Sequence, residues 1–250
     1  MKHKKLKIII LVILILLIFF ITEVDVRHHA MDAKIDSFID RAVYEETIDE
    51  TAYYKVNKEY EYEDNKNIGN PQEVNYIGTT GDIYLVNSDP VGMLITNWLS
   101  RRLYLGHCGI VYNEDASQMV EVVGNKSREE NVVKVYNNDW MLITTNGLVV
   151  LRVKGIDDDK KNSLIDYLDN QMGKKYNYFF LAHLKNSFYC MDIASRAYEE
   201  IGIDIDGNLN ITLGSSLIDS DNTYLIYYRM MVHEEGMKYK VYYLSEDWND

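Results

Sequence analysis

The chain has 250 residues, 47% of them hydrophobic, with only two prolines and 14 glycines; it can bury one substantial core and is not a disordered or repetitive polymer. Its formal charge is −13, and because four lysines precede the first acid, Glu23, the remainder carries −17. That sign excludes nucleic-acid binding through phosphates and disfavours long-range attraction to anionic lipid or wall polymer.

The amino terminus opens on Lys2, Lys4, Lys5 and Lys7, and residues 8–21 are 14 consecutive apolar residues without a charge. As a helix that run spans about 21 Å against a hydrocarbon core of about 30 Å, which is short. Residues 22–27, Thr-Glu-Val-Asp-Val-Arg, hold no small-x-small cleavage pair, and Ala30 with Ala33 makes a weak one. The expectation is an uncleaved signal anchor over 1–24, with Lys5 and Lys7 reaching the interface. The lysine cluster would stay cytoplasmic and the residues after about 25 would be extracytoplasmic, single-pass at the cell membrane.

Residues 25–75 read as an acidic helical stalk and linker. Ile35, Phe38, Ile39 and Val43 recur at helical spacing with Glu45, Glu46 and Asp49 opposite, and 60–71 is polar with Asn, Gly and Pro. A solvated amphipathic helix accounts for this stretch better than a partner-docking segment does. His28 and His29 have no carboxylate or thiol companions that would make a metal site of them.

The core domain is expected over 76–236, with a C-terminal strand and tail at 237–250. A turn at Gly78 to Gly81 feeds a strand at 83–86, 91–99 is helical, 107–111 is a strand, and 119–123 is its hairpin partner. Further strands fall at 132–135 and 148–153. Residues 157–172 begin with three aspartates and carry Leu164, Ile165 and Leu168 at helical spacing. Residues 190–201 form a second helix, with Ile193, Ala194, Ala197 and Ile201 on one face and Gly202 as its stop. Strands at 224–228 and 239–244 close the sheet.

Two segments carry chemistry. In Gly106-His107-Cys108-Gly109-Ile110-Val111, alternation puts His107 and Gly109 on one face and Cys108 and Ile110 on the other. Cys108 is therefore expected in the core as a small hydrophobe, while the two glycines leave room beside His107 for another backbone or a ligand. Cys190 opens a helix, where the dipole and the first-turn N–H groups stabilise a thiolate and later an oxyanion. His107 is the candidate base, and Glu121 the candidate third group that fixes its tautomer, provided Glu121 pairs opposite Gly109 or His107. Asn113 and Glu114 in the turn are weaker candidates for that role, and His183, seven residues before Cys190, is the rival base. A Cys108–Cys190 disulfide is the bland alternative for two extracytoplasmic cysteines.

The order Gly81-Asp82-Ile83, His107-Cys108-Gly109-Ile110-Val111, Val120-Glu121, Gly173-Lys174-Lys175-Tyr176-Asn177-Tyr178 and Tyr189-Cys190 resembles the permuted NlpC-type papain-like cysteine hydrolases. It is most similar to their YiiX-like group, whose relatives include lecithin retinol acyltransferase. The resemblance covers roughly residues 76–230. It implies an α+β, circularly permuted papain-like domain with an antiparallel sheet and packed helices, and it carries the catalytic set over to His107, Glu121 and Cys190. Met191 after the nucleophile and Cys108 beside the histidine depart from the family pattern.

The implied activity is a membrane-anchored cysteine hydrolase cleaving amide bonds, in cell-wall peptides or similar, through a thioester. The alternatives are a lipid or protein acyltransferase or thioesterase of the same fold, and a non-catalytic binding module with the disulfide. The partners implied are a peptide or acyl substrate and the membrane; no metal or organic cofactor is implied.

Overall fold

The computed structural model describes residues 2–87, 94–124, 129–143, 147–179, 183–207 and 211–245, and for 2–8 and 94–97 the backbone alone. A 39-residue helix, α1 (Lys2–Asp40), runs unbroken out of the apolar segment. A hairpin follows, β1 (Ala42–Ile48) and β2 (Thr51–Val56), then β3 (Ile83–Val86), α2 (Leu94–Leu103), β4 (His107–Val111), β5 (Gln118–Val122) and β6 (Val133–Asn137). A single turn of helix, α3 (Trp140–Ile143), leads to β7 (Leu148–Val153) and α4 (Asp158–Asp169). The short β8 (Lys175–Tyr176) and β9 (Ser187–Phe188) precede α5 (Cys190–Glu200) and α6 (Gly214–Asp219), and β10 (Thr223–Glu234) and β11 (Met237–Leu244) complete the chain.

One nine-stranded sheet takes the order β1-β2-β11-β10-β7-β3-β4-β5-β6, and β8 and β9 pair separately. Within the nine-stranded sheet the expected antiparallel arrangement holds except between β2 and β11, which run parallel, with Tyr53 opposite Val241; the separate β8–β9 pair is parallel as well. The central strands are buried along most of their length, as in β7, where all six residues are buried, Arg152 among them. That pattern marks strands covered on both faces.

The stalk expected over 25–75 is corrected. The helical period of Ile35, Phe38 and Ile39 is real and ends at Asp40; Phe38 is buried and Ile39 packs against the core. Beyond it the chain is rich in β-branched and aromatic residues, Val43, Tyr44, Thr47, Ile48, Thr51, Tyr53 and Tyr54, which favour extended backbone. Asp49 and Glu50 both take positive φ, 46° and 64°, the geometry of a two-residue hairpin turn whose twist matches its strands. The helix that begins in the expected anchor segment continues past residue 24, with Val24, Met31, Ile35 and Phe38 all buried against the domain. The separate 237–250 segment is likewise corrected, because β11 lies between β2 and β10 inside the sheet. Residues 91–93 of the expected 91–99 helix lie outside the described residues, and its observed part runs on to Leu103.

The Gly-Asp-Ile motif turns out to be a structural knot. Arg152 on β7 donates to both carboxylate oxygens of Asp82, at 2.9 and 2.7 Å, and to the carbonyls of Asp64 and Lys66 at 2.7 and 2.8 Å. The second Asp82 oxygen also accepts from Thr79 N at 2.8 Å. Gly81, at φ 92°, lies so close to Tyr198 that a Cβ there would stand 2.9 Å from the phenol oxygen, and Tyr198 donates to the Gly81 carbonyl. This contact ties α5 to the start of β3, so the helix that carries Cys190 is held against the sheet at its far end as well.

Candidate active site

β4 and β5 pair Ile110 with Val120 and Val111 with Met119, a register that continues to place Glu121 opposite Gly109. Of the two registers that would bring Glu121 beside His107, this is the first. The reason glycine stands at 109 follows: a Cβ there would come 2.7 Å from Met119 Cε, 3.1 Å from Glu121 Cγ and 3.3 Å from Trp140 Cζ2. His107 Nε2 lies 2.7 Å from Glu121 Oε2. The other carboxylate oxygen accepts from Trp140 Nε1 at 2.8 Å, and the indole stacks on the imidazole, centroids 5.3 Å apart and planes 17° from parallel. Glu121 is thus held from two sides, and the imidazole from its edge and its face.

The imidazole lies within electrostatic reach of the Cys190 thiol, which itself donates to the Gly106 carbonyl at 3.9 Å. Burial opposes charge on His107, but the hydrogen bonds to Cys190 and Glu121 and their negative charge outweigh it and raise its pKa from 6.5 to about 10. The imidazolium is therefore its ordinary form at neutral pH. Cys190 begins α5, and Tyr189 before it has extended backbone and makes no side-chain cap. Helix geometry leaves the first-turn N–H groups without intrahelical acceptors, an arrangement that stabilises negative charge at the helix start. The Tyr189 hydroxyl is used elsewhere, accepting from Thr212 N at 2.6 Å.

Cys108 and Cys190 are both free thiols, which corrects the disulfide alternative. Cys108 is fully buried on the far face of β4, where burial, then the charges of Cys190 and Glu121, push its thiol well above the ordinary range. His183 sits 3.4 Å from Asp192, and it is His107 whose pKa is raised by interaction with Cys190. Asn113 and Glu114 stay in the β4–β5 turn, where Asn113 bonds Ser117 and Gln118 at 2.9 Å each. His28 lies one helical turn from Asp32, at 3.3 Å. Among the described residues, no group of three or more His, Cys, Asp and Glu is placed to hold a metal ion.

Trp140 was not singled out from the sequence; a lone tryptophan after an Asn-Asn-Asp turn gives no sign of the strand residue it meets. Tyr176, from the Gly-Lys-Lys-Tyr segment, forms a wall beside Cys190, and Gly124 admits its ring, since a Cβ there would come 2.6 Å from it. A cavity of about 710 Å³ opens at Cys190, bounded by Gly106, Tyr176, Met191 and Leu213.

A strand histidine that precedes a helix-start cysteine on this sheet defines a class, the papain-like fold with its segments in circularly permuted order. Residues 79–243 match the family described as permuted papain-like amidase enzyme, YaeF/YiiX, C92 family, and the chain belongs to it. Membership carries an amidase-type cysteine hydrolase function. Among solved structures the chain is similar to that of metalloprotein YiiX from Escherichia coli O157:H7, at 16% identity and a TM-score of 0.46, over 60% of this chain and 96% of that one. No curated protein matches.

Proposed function

We propose that the protein is a thiol hydrolase that opens an amide or related acyl bond next to the membrane to which α1 tethers it, with Cys190 as nucleophile, His107 as acid and base, and Glu121 as the group that orients the imidazole. The observation that carries this reading is the chain from Trp140 Nε1 through Glu121 to His107, 2.8 and 2.7 Å, with the imidazole beside the Cys190 thiol at the N-terminus of α5.

The sulfur attacks as thiolate, the carbonyl oxygen becomes an oxyanion against the first-turn amides of α5, and His107 passes its proton to the leaving amine. The resulting thioester is opened by water, whose proton His107 accepts. An acceptor amine or alcohol in place of water would turn the same intermediate to acyl transfer. The extracytoplasmic side is read from the lysine cluster ahead of the apolar run. Wall-peptide amides and lipid acyl groups are the two substrate classes that this placement offers, and the apolar walls of the cavity favour the second.

The test is the pH dependence of iodoacetamide alkylation of the full chain in phosphatidylcholine vesicles, with the modified residue located by mass spectrometry. Rapid alkylation of Cys190 at and below pH 7, lost in His107→Ala, is the expected result. Labelling of both cysteines at equal, slow rates that rise only above pH 8 would overturn the reading.

A further inference from the structure

Asp192 stands in the first turn of α5, two residues past Cys190, and its side chain is wholly buried. A carboxylate in that position ordinarily turns back to accept from the free amides of the turn. Asp192 instead faces a segment outside the helix. Its Oδ1 lies 3.4 Å from His183 Nε2, and among the described residues neither of these buried atoms has a hydrogen-bond partner. Its Oδ2 accepts from Arg196 Nη1 at 3.4 Å, one turn further along α5. We infer that Asp192, His183 and Arg196 form a latch that fastens residues 183–188 to the first turn of α5, which makes Asp192 a positioning residue for the Cys190 site. The inference rests on the thiol-hydrolase reading above only for what the latch positions.

The contacts beyond the carboxylate lead back to the nucleophile. Arg196 Nη1 also donates to the carbonyls of Leu184 and Ser187, at 2.9 and 3.4 Å, and its guanidinium lies 4.1 Å from the centre of the Phe188 ring. Phe188 is fully buried and belongs to β9, which pairs with β8 so that Tyr176 stands opposite it. Tyr176 is the wall beside Cys190. One cation therefore joins the nucleophile's helix to the strand pair that carries the wall, and Asp192 is the charge that holds it.

A wholly buried carboxylate needs partners on both oxygens, and removing one member of a buried ion pair leaves a charge without compensation. The groups that face Asp192 are Arg196 on its own helix, His183 ahead of β9, Tyr189 before α5 and Asp206 past its end, with Tyr167 of α4 against Arg196. Burial first, opposed by Arg196 and His183, holds the carboxyl at about 6, where a solvated one has 3.8. Closing the latch therefore takes up a proton. The closed form is favoured below about pH 4, weakens as pH rises to about 6, and above that rests on Arg196 and His183.

Two measurements on the full chain in phosphatidylcholine vesicles test the inference. In the first, backbone amide exchange, corrected for the intrinsic rate, is followed by mass spectrometry. In residues 183–189 of the wild type it is expected to rise about tenfold or more from pH 4.5 to pH 7, and to be independent of pH in Asp192→Asn, while β7 stays protected throughout. In Arg196→Gln a further rise of about tenfold is expected at pH 7. Exchange in 183–189 that follows β7 at each pH, or a pH dependence that persists in Asp192→Asn, overturns the latch; the wild-type profile decides this even where a variant does not fold. In the second, Cys190 is alkylated with iodoacetamide. Arg196→Gln is expected to lower the rate about fivefold at pH 7 and less than about twofold at pH 5, and Arg196→Lys to restore at least about half of it. A rate unchanged at both pH values overturns the positioning role. Slow, equal labelling of both cysteines in the wild type removes the hydrolase reading instead, and leaves the exchange profile to decide the latch.

Discussion

The two thiols of this chain make the most instructive comparison in the molecule. Cys108 is the neighbour of His107 in sequence and Cys190 is far from it, yet it is Cys190 that meets the imidazole. Strand alternation turns Cys108 into an apolar core that suppresses its ionisation, while Cys190 sits at a helix start, beside an imidazolium, on the edge of a cavity. Reactivity here is a property of the surroundings and is unrelated to proximity along the chain.

The comparison breaks most directly by exchange of the thiols. Cys190→Ala is expected to lower amide or ester turnover by on the order of 10⁴-fold or more, while Cys108→Ala changes it by less than about threefold. Equal losses in the two variants, measured as initial rates at saturating probe, would erase the distinction. Glu121→Gln keeps the shape and removes the charge behind His107; a loss on the order of 10²-fold in kcat is expected, with KM little changed. Trp140→Phe retains the stacking ring and deletes the donor to Glu121, for a loss of about tenfold.

A smaller effect lies in the pH dependence of stability. The folded-state pKa of His107 is raised from 6.5 to about 10, so its contribution is fully present below about 6.5, declines as pH rises, and is lost above about 10. The gap in Tm between the wild type and His107→Gln should close across that window, and a gap independent of pH would mean that the imidazolium is not the form held in the fold.

Asp192, also in the first turn of α5, runs the opposite way. Burial first, against the nearby Arg196 and His183, raises it from 3.8 to about 6, so folding favours its neutral form and stability is withdrawn as pH rises from about 4 to 6. Asp192→Asn is expected to flatten the Tm profile over that range and leave it unchanged above. An unaltered slope would assign the pH dependence to other carboxylates.

Much of this site was legible because its parts are short and local. The strand at 107–111, its hairpin partner and the helix beginning at Cys190 each follow from period and turn signals, and the register that sets Glu121 beside His107 needed only one of two alternatives to hold. Trp140 was not legible, since its bond to Glu121 joins two segments across a loop whose length says nothing of where the ring lands. The cavity was equally hidden: its walls come from α1, the α2–β4 connection, β8, the start of α5 and the segment before α6, stretches with no common pattern. The β1–β2 hairpin was misread because the helical period of α1 runs up to its first residues, and the positive-φ pair that turns it is Asp-Glu, without the glycine that usually signals such a turn.

The parallel pairing of β2 with β11 sets a schedule for how the protein is made. Residues 51–56 are made long before their partners, 239–244, so β2 has no neighbour other than β1 until β11 follows. Contacts separated by so much chain are slow to form, and an unpaired edge of tyrosines and valines waits meanwhile. The sheet closes only once β11 has been made, and it is that strand which slots into its interior.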